Sequence, residues 1–140
     1  MNSKVIFLKI KDTQTKLQCI SQLAHELVDQ EKRLLITVPS EDAAKYIDSL
    51  LWKMPEERFL PHSIVSSPSK EFVAITLVKT QNFNQAHCLL NLCMEISPIF
   101  QQFEVVYELF DETEAKKMQQ SQTKLQEYKS KGAKIVEVVK

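Results

Sequence analysis

The strongest constraint on the fold is an alternation of short apolar stretches with longer amphipathic ones. Residues 5–10 and 33–38 are compact apolar runs rich in β-branched side chains, which are typical of buried strands. Residues 16–30 instead carry apolar side chains at three- and four-residue intervals, the spacing of one helix face. Because parallel neighbouring strands need a crossover between them, this order predicts βαβ units and a mostly parallel sheet.

The second half of the chain is predicted to contain more strands, and nothing divides it from the first half. A second helix is predicted to start after its cap Ser40 and to stop at Pro55. Further extended segments are predicted at 72–78, 87–96, 103–110 and 133–139, with loops at 63–70 and 79–85. The last helix is predicted to begin at Asp111, with Glu114 completing an acidic capping box, and to end at Gly132. With no repeat or linker, residues 1–140 are expected to form a single α/β domain.

The chain contains one glycine, Gly132, and this scarcity excludes two classes of nucleotide-binding site. A Walker-type phosphate loop needs two glycines at fixed spacing, and the dinucleotide fingerprint needs three. No apolar run is long enough to span a membrane, and the first residues do not form a signal peptide. Together with three irregularly spaced cysteines, this predicts a cytoplasmic protein without disulfides.

The charges balance, with 18 basic and 18 acidic residues. Affinity for the nucleic-acid backbone scales with the phosphates that a protein neutralises, so direct DNA binding is not favoured. A local basic face remains compatible with this balance, and a short acidic peptide suits it better than a long duplex.

A search for catalytic and metal-binding residues finds no local signature. His87, Cys88 and Cys93 lie close in sequence, but in an extended strand Cys88 and Cys93 point to opposite faces. We therefore expect no metal, no cofactor and no catalytic residue. A small hydrolase or transferase that assembles a Cys/His site from distant segments stays as the alternative.

Two segments have the composition of protein-binding surfaces. The last helix has few apolar positions and five nearby lysines, which fits either a solvated face or a basic edge for an acidic peptide. Trp52 ends the second helix, and Phe59 lies between Pro55 and Pro61. These aromatic residues either cap the core or anchor an interface.

The segment around Trp52 resembles the chi subunit of bacterial DNA polymerase III. The resemblance covers nearly the whole chain. It rests on a set of residues in the family's spacing: Leu51, Trp52, Pro55, Phe59, Pro61 and His62. The opening strand and helix, the strand at 33–38, a late strand at 104–106 and the ending Tyr128-Lys129-x-x-Gly132 support it.

The resemblance implies a Rossmann-like three-layer sandwich with a mostly parallel central sheet and no nucleotide-binding loop. It also implies a non-catalytic accessory subunit of the clamp-loader assembly. The balanced charge and the lack of a long apolar run predict that the protein itself binds neither nucleic acid nor membrane. Such a subunit pairs with the psi subunit, or with a helicase partner on the same side. It also binds the acidic, aromatic-ended C-terminal tail of single-stranded DNA-binding protein. By this resemblance, Trp52 and Phe59 belong to the surface for psi or the alternative partner.

The resemblance is weaker at the tail-binding helix. The family places Arg, Tyr and Lys where this chain has Gln122, Leu125 and Gln126. Similar chemistry nearby comes only from Lys124, Tyr128 and Lys129, which are therefore the expected tail-binding residues. Either the pocket is shifted by a turn, or tail binding is weak or lost.

Overall fold

The computed structural model describes residues 3–53 and 58–140. Within those ranges the strands are β1 (Lys4–Ile10), β2 (Leu34–Thr37), β3 (His62–Ile64), β4 (Val73–Thr76), β5 (Cys88–Asn91), β6 (Val105–Asp111) and β7 (Lys134–Val139). The helices are α1 (Thr13–Asp29), α2 (Glu41–Lys53) and α3 (Ala115–Ser130), with a short 3-10 turn at Phe100–Gln102. The strand–helix alternation extends as far as α2, and the strands β3 to β6 then follow with no α-helix between them, as the strand-rich second half predicts.

The strands form one sheet in the order β3-β4-β2-β5-β6-β1-β7, and neighbouring strands pair in parallel. The register places Val5 of β1 between Val106 of β6 and Ile135 of β7. Because all the strands run the same way, their carboxyl ends meet at one edge of the sheet. Helices α1, α2 and α3 each follow a strand, so all three begin at that edge. The predicted α/β class with a mostly parallel sheet is confirmed.

Alternate residues along the strands enter two separate cores, one on each face of the sheet. On one face, Leu8 and Ile36 pack with the apolar stripes of α1 and α2, including Ile20 and Ile47. On the other face, the aromatic residues Phe7, Phe100, Phe103, Phe110 and Tyr128 pack with Leu35 and Leu89. The helices therefore lie on both faces, which gives the expected three layers.

The predicted helix ends are confirmed at two positions. Ser40 caps α2, since its Oγ accepts a hydrogen bond from the backbone N–H of Ala43 at 3.1 Å. Gly132 has φ +77°, the left-handed conformation that favours glycine after a helix. The predicted stop at Pro55 lies outside the described residues.

Three predicted boundaries are wrong, each for a local reason. Strand β5 ends at Asn91 rather than at 96, because the Asn91 side chain accepts from Cys93 N–H and donates to the Glu95 carbonyl, which turns the backbone. Residues 62–64, partly predicted as loop, form the edge strand β3. Helix α3 begins at Ala115 because Asp111 still belongs to β6, and Glu114 makes no side-chain capping bond.

None of the helices in the described ranges combines the length and the apolarity that crossing a membrane requires.

Candidate functional site

A cleft of about 500 Å³ opens at the carboxyl edge of the sheet, between α1 and α2 on one face and α3 on the other. Crevices outside the carboxyl ends of the strands are where open parallel sheets commonly bind ligands. Its apolar lining includes Leu17, Ile20, Pro39, Ala43, Tyr46, Ile47, Leu92, Met94 and Leu109. Its polar lining includes Lys16, Asp42, Asn91, Asp111, Lys117, Gln120, Ser121 and Lys124. Tyr46 and Met94 are more than half exposed, so apolar surface reaches the mouth of the cleft.

The lysines of the cleft differ in how far internal carboxylates neutralise them. Lys16 Nζ lies 2.7 Å from Asp111 Oδ2. Burial works against the ionised form of Asp111, yet hydrogen bonds from Lys16 and Thr113 hold its pKa below the ordinary value. The Lys117 side chain is 44% exposed. Its Nζ lies 4.0 Å from the exposed carboxylate of Glu114, which is a longer and weaker pairing than that of Lys16. Lys117 is therefore the lysine most available to a ligand in the cleft.

A buried polar network forms the wall of the cleft beside β6. Glu108 is fully buried, and its carboxylate accepts hydrogen bonds from Lys124 Nζ at 2.8 Å, Tyr128 Oη at 2.6 Å and Asn91 Nδ2 at 2.9 Å. Lys124 also donates to the Cys93 carbonyl. The Asn91 amide oxygen accepts from the Thr37 hydroxyl at 2.9 Å. The network joins β2, β5, β6 and α3 at the edge where the cleft opens.

Burial is the largest influence on the pKa values of Glu108 and Tyr128 in this network. It raises the pKa of Glu108, although the hydrogen bonds from Lys124, Tyr128 and Asn91 favour the carboxylate. Burial and the adjacent Glu108 carboxylate also raise the pKa of Tyr128. The Tyr128 hydroxyl therefore keeps its proton and acts as a donor to Glu108.

Sequence reasoning missed this network, although one signal for it was present. Glu108 is a charged residue inside a strand segment, 103–110, that is otherwise suited to burial. Glutamate is almost never fully buried without a partner, so a buried strand with a glutamate implies a cation opposite it. That cation is Lys124, which the resemblance instead places among the residues that face the tail peptide.

The structure places the three expected tail-binding residues in different environments. Lys124 is 8% exposed and lines the cleft, while Tyr128 is fully buried behind it. Lys129 is exposed in the last turn of α3 and does not line the cleft. Lys124 and Tyr128 are brought together through Glu108, but the three residues do not form one exposed surface.

The two expected partner-binding aromatics do lie together. Trp52 is 56% exposed and Phe59 is 74% exposed, with ring centroids 5.9 Å apart. The buried His62 ring lies 4.7 Å from Trp52. We call Trp52, Phe59 and His62 the aromatic corner. Because the two large rings present most of their surface to solvent, the geometry favours an interface anchor over a cap on the core.

The cysteines lack the environment of a nucleophile. Cys19, Cys88 and Cys93 are buried, and burial raises the pKa of each thiol, that of Cys88 to about 11. A reactive cysteine needs the opposite shift. Cys93 lies beyond the end of β5, so the prediction that it shares a strand with Cys88 is wrong. Across residues 3–53 and 58–140, no three His, Cys, Asp or Glu side chains cluster as metal ligands would.

Comparisons with known proteins agree with this fold. The solved structure titled "The crystal structure of T4 UvsW" superimposes with a TM-score of 0.67 at 12% sequence identity. The match covers 98% of this chain but only 41% of the T4 chain, so it shows a shared fold. A comparison with curated proteins finds no match. Residues 2–136 match a protein family, and over nearly its whole length the chain therefore belongs to the family of the DNA polymerase III chi subunit, HolC.

Proposed function

We propose that this accessory subunit of the replicative polymerase is an adaptor with two protein-binding sites. The cleft binds the acidic, aromatic-ended C-terminal tail of single-stranded DNA-binding protein. The aromatic corner binds the psi subunit of the clamp loader or an equivalent helicase partner. The observation that carries the proposal is the cleft itself, which combines a large apolar lining with the lysines Lys16, Lys117 and Lys124.

The cleft suits both parts of such a tail. Leu17, Ile20 and Leu92 offer an apolar wall for an aromatic ring, and burying a ring in such a site is worth roughly 1.5–3 kcal/mol. Lys16 and Lys117 can donate charge-assisted hydrogen bonds to carboxylates. This arrangement supplies cations that the glutamines at 122 and 126 do not.

The charges also limit the expected affinity. Lys16 already faces Asp111, and Lys124 already faces Glu108, so neither brings an unpaired charge to the peptide. Asp42 at the edge of the cleft repels acidic side chains. We therefore expect weak, salt-sensitive binding in which Lys117 contributes most. In this proposal Lys124 contributes a wall of the pocket, Tyr128 supports it from behind, and Lys129 adds long-range attraction.

The tail-binding half is tested by calorimetry with a synthetic peptide of the organism's own single-stranded DNA-binding protein tail. We expect Lys117→Glu to weaken binding at least tenfold at low salt, since it reverses the most available charge. Lys129→Glu changes the net charge equally but lies outside the cleft, so it should cost only two- to threefold. Equal losses in the two variants would place the peptide elsewhere on α3. The absence of heat with the unmodified protein would refute tail binding.

A further inference from the structure

We propose that His62 is the positioning residue of the aromatic corner, holding the Trp52 ring in the orientation that the partner recognises. The inference rests on the proposed function, in which this corner binds a partner subunit. It adds a buried residue that the partner does not touch but on which the surface depends.

The imidazole of His62 is fixed on two sides. Its side chain has no exposed area. Nδ1 lies 2.7 Å from the Leu60 carbonyl oxygen, on the segment that leads into β3. Nε2 lies 3.3 Å from the Asp48 carbonyl and 3.2 Å from the Asp48 carboxylate, both on α2. The ring therefore ties the edge strand to the helix that carries Trp52.

The fixed ring then supports the exposed ones. Trp52 packs on His62 with ring centroids 4.7 Å apart and planes tilted by 59°. Phe59 in turn packs on Trp52 at 5.9 Å. A buried ring held by hydrogen bonds thus lies beneath two rings that are 56% and 74% exposed.

This arrangement indicates what the partner presents. Two adjacent exposed rings offer an apolar surface, so they suit an apolar segment of a partner protein. A large side chain that is ordered before binding loses less conformational entropy when the partner arrives. His62 thereby raises affinity without contributing contact area.

The chain offers a direct probe, because Trp52 is its only tryptophan. The single indole N–H signal in a ¹⁵N NMR spectrum reports the motion of this ring alone. We expect His62→Ala to lower the indole order parameter, and Asp48→Ala to lower it less, since the contacts of the imidazole with the Leu60 and Asp48 carbonyls remain. His87→Ala is the matched control, because His87 is an exposed histidine before β5, three strands away from β3. The control should leave the indole signal unchanged.

The same variants are then titrated with purified psi subunit. We expect His62→Ala to weaken binding about three- to tenfold, the effect of ordering one large side chain on binding. Unchanged indole order in both His62→Ala and Asp48→Ala would overturn the inference, as would full psi affinity in folded His62→Ala. If His62→Ala does not fold, His62→Asn takes its place in both measurements. Failure of psi to bind the unmodified protein would refute the proposed partner, while the indole measurement still tests the positioning role.

Discussion

Single residues decide how α3 is attached to the sheet. The buried residues of this helix are Ser121, Lys124 and Tyr128, and each makes a hydrogen bond to β6. Directional polar contacts therefore replace most of the apolar stripe that a helix in this position usually presents. Because Glu108 receives two of these contacts, the position of α3 depends on one carboxylate.

Removing one member of the Glu108–Lys124 pair should destabilise the protein more than removing both. Glu108→Gln leaves the Lys124 ammonium buried without a counter-charge, which costs about 3–5 kcal/mol of unfolding free energy. Lys124→Met leaves the carboxylate, still bonded to Tyr128 and Asn91, and should cost less. Urea unfolding of both single variants and the double variant measures the coupling. Purely additive losses would contradict a direct interaction.

Asp111 should give the protein a stability that depends on pH. Its folded pKa lies below the ordinary value of 3.8, so its contribution is fully present above that pH and is lost as the pH falls through the folded pKa. We expect Asp111→Asn to cost on the order of 1 kcal/mol at neutral pH and progressively less below about pH 4. Urea unfolding between pH 2 and 7 tests this. Lys16→Met should reduce the same pH dependence, since it removes a donor that favours the carboxylate.

At the scale of elements, periodic apolar patterns predict α1, α2 and the long strands, whereas α3 is predicted from the signals at its two ends. The misses occurred where side chains bond to nearby backbone, as at Asn91, or where a strand is only three residues long, as at β3. The cleft could not be predicted, because its lining comes from three helices, two strand ends and the loops after β2 and β5, which only the topology brings together. The proline-bracketed segment makes Trp52 and Phe59 conspicuous in the sequence, but only the structure separates a cap on the core from an exposed surface, since it leaves both rings more than half exposed.

Helix α2 carries residues of both proposed sites, so it allows a crossed test. Tyr46 lines the cleft and Trp52 belongs to the aromatic corner, and both are slightly more than half exposed. They lie about 9 Å apart along the helix axis and about 120° apart around it. We expect Tyr46→Ala to weaken the tail peptide and spare psi, and Trp52→Ala to do the reverse, by about 1–2 kcal/mol. Calorimetry of each variant with the tail peptide and with psi measures these losses. If each variant weakened both ligands equally, the two ligands would share a single site.

At the scale of the whole molecule, the balanced net charge hides an uneven distribution. Residues 111–140 carry seven lysines and five acidic residues, whereas residues 17–110 carry seven basic and twelve acidic residues. The first of these segments supplies α3 and β7, at the side of the sheet where β1 and β6 also lie. An acidic peptide is therefore steered toward the α3 side and away from the edge of the sheet formed by β3.

This separation predicts that the protein binds its two partners at the same time. The cleft and the aromatic corner use different faces of α2, and no described residue belongs to both. A ligand at one site therefore makes no contact that a ligand at the other must displace, and linkage requires that independent sites do not alter each other's affinity. We expect the tail peptide to bind the psi-saturated protein within about twofold of its affinity for the free protein, as measured by calorimetry. A loss of tenfold or more, a coupling of about 1.4 kcal/mol, would mean that the partners compete and that the protein exchanges them instead of bridging them.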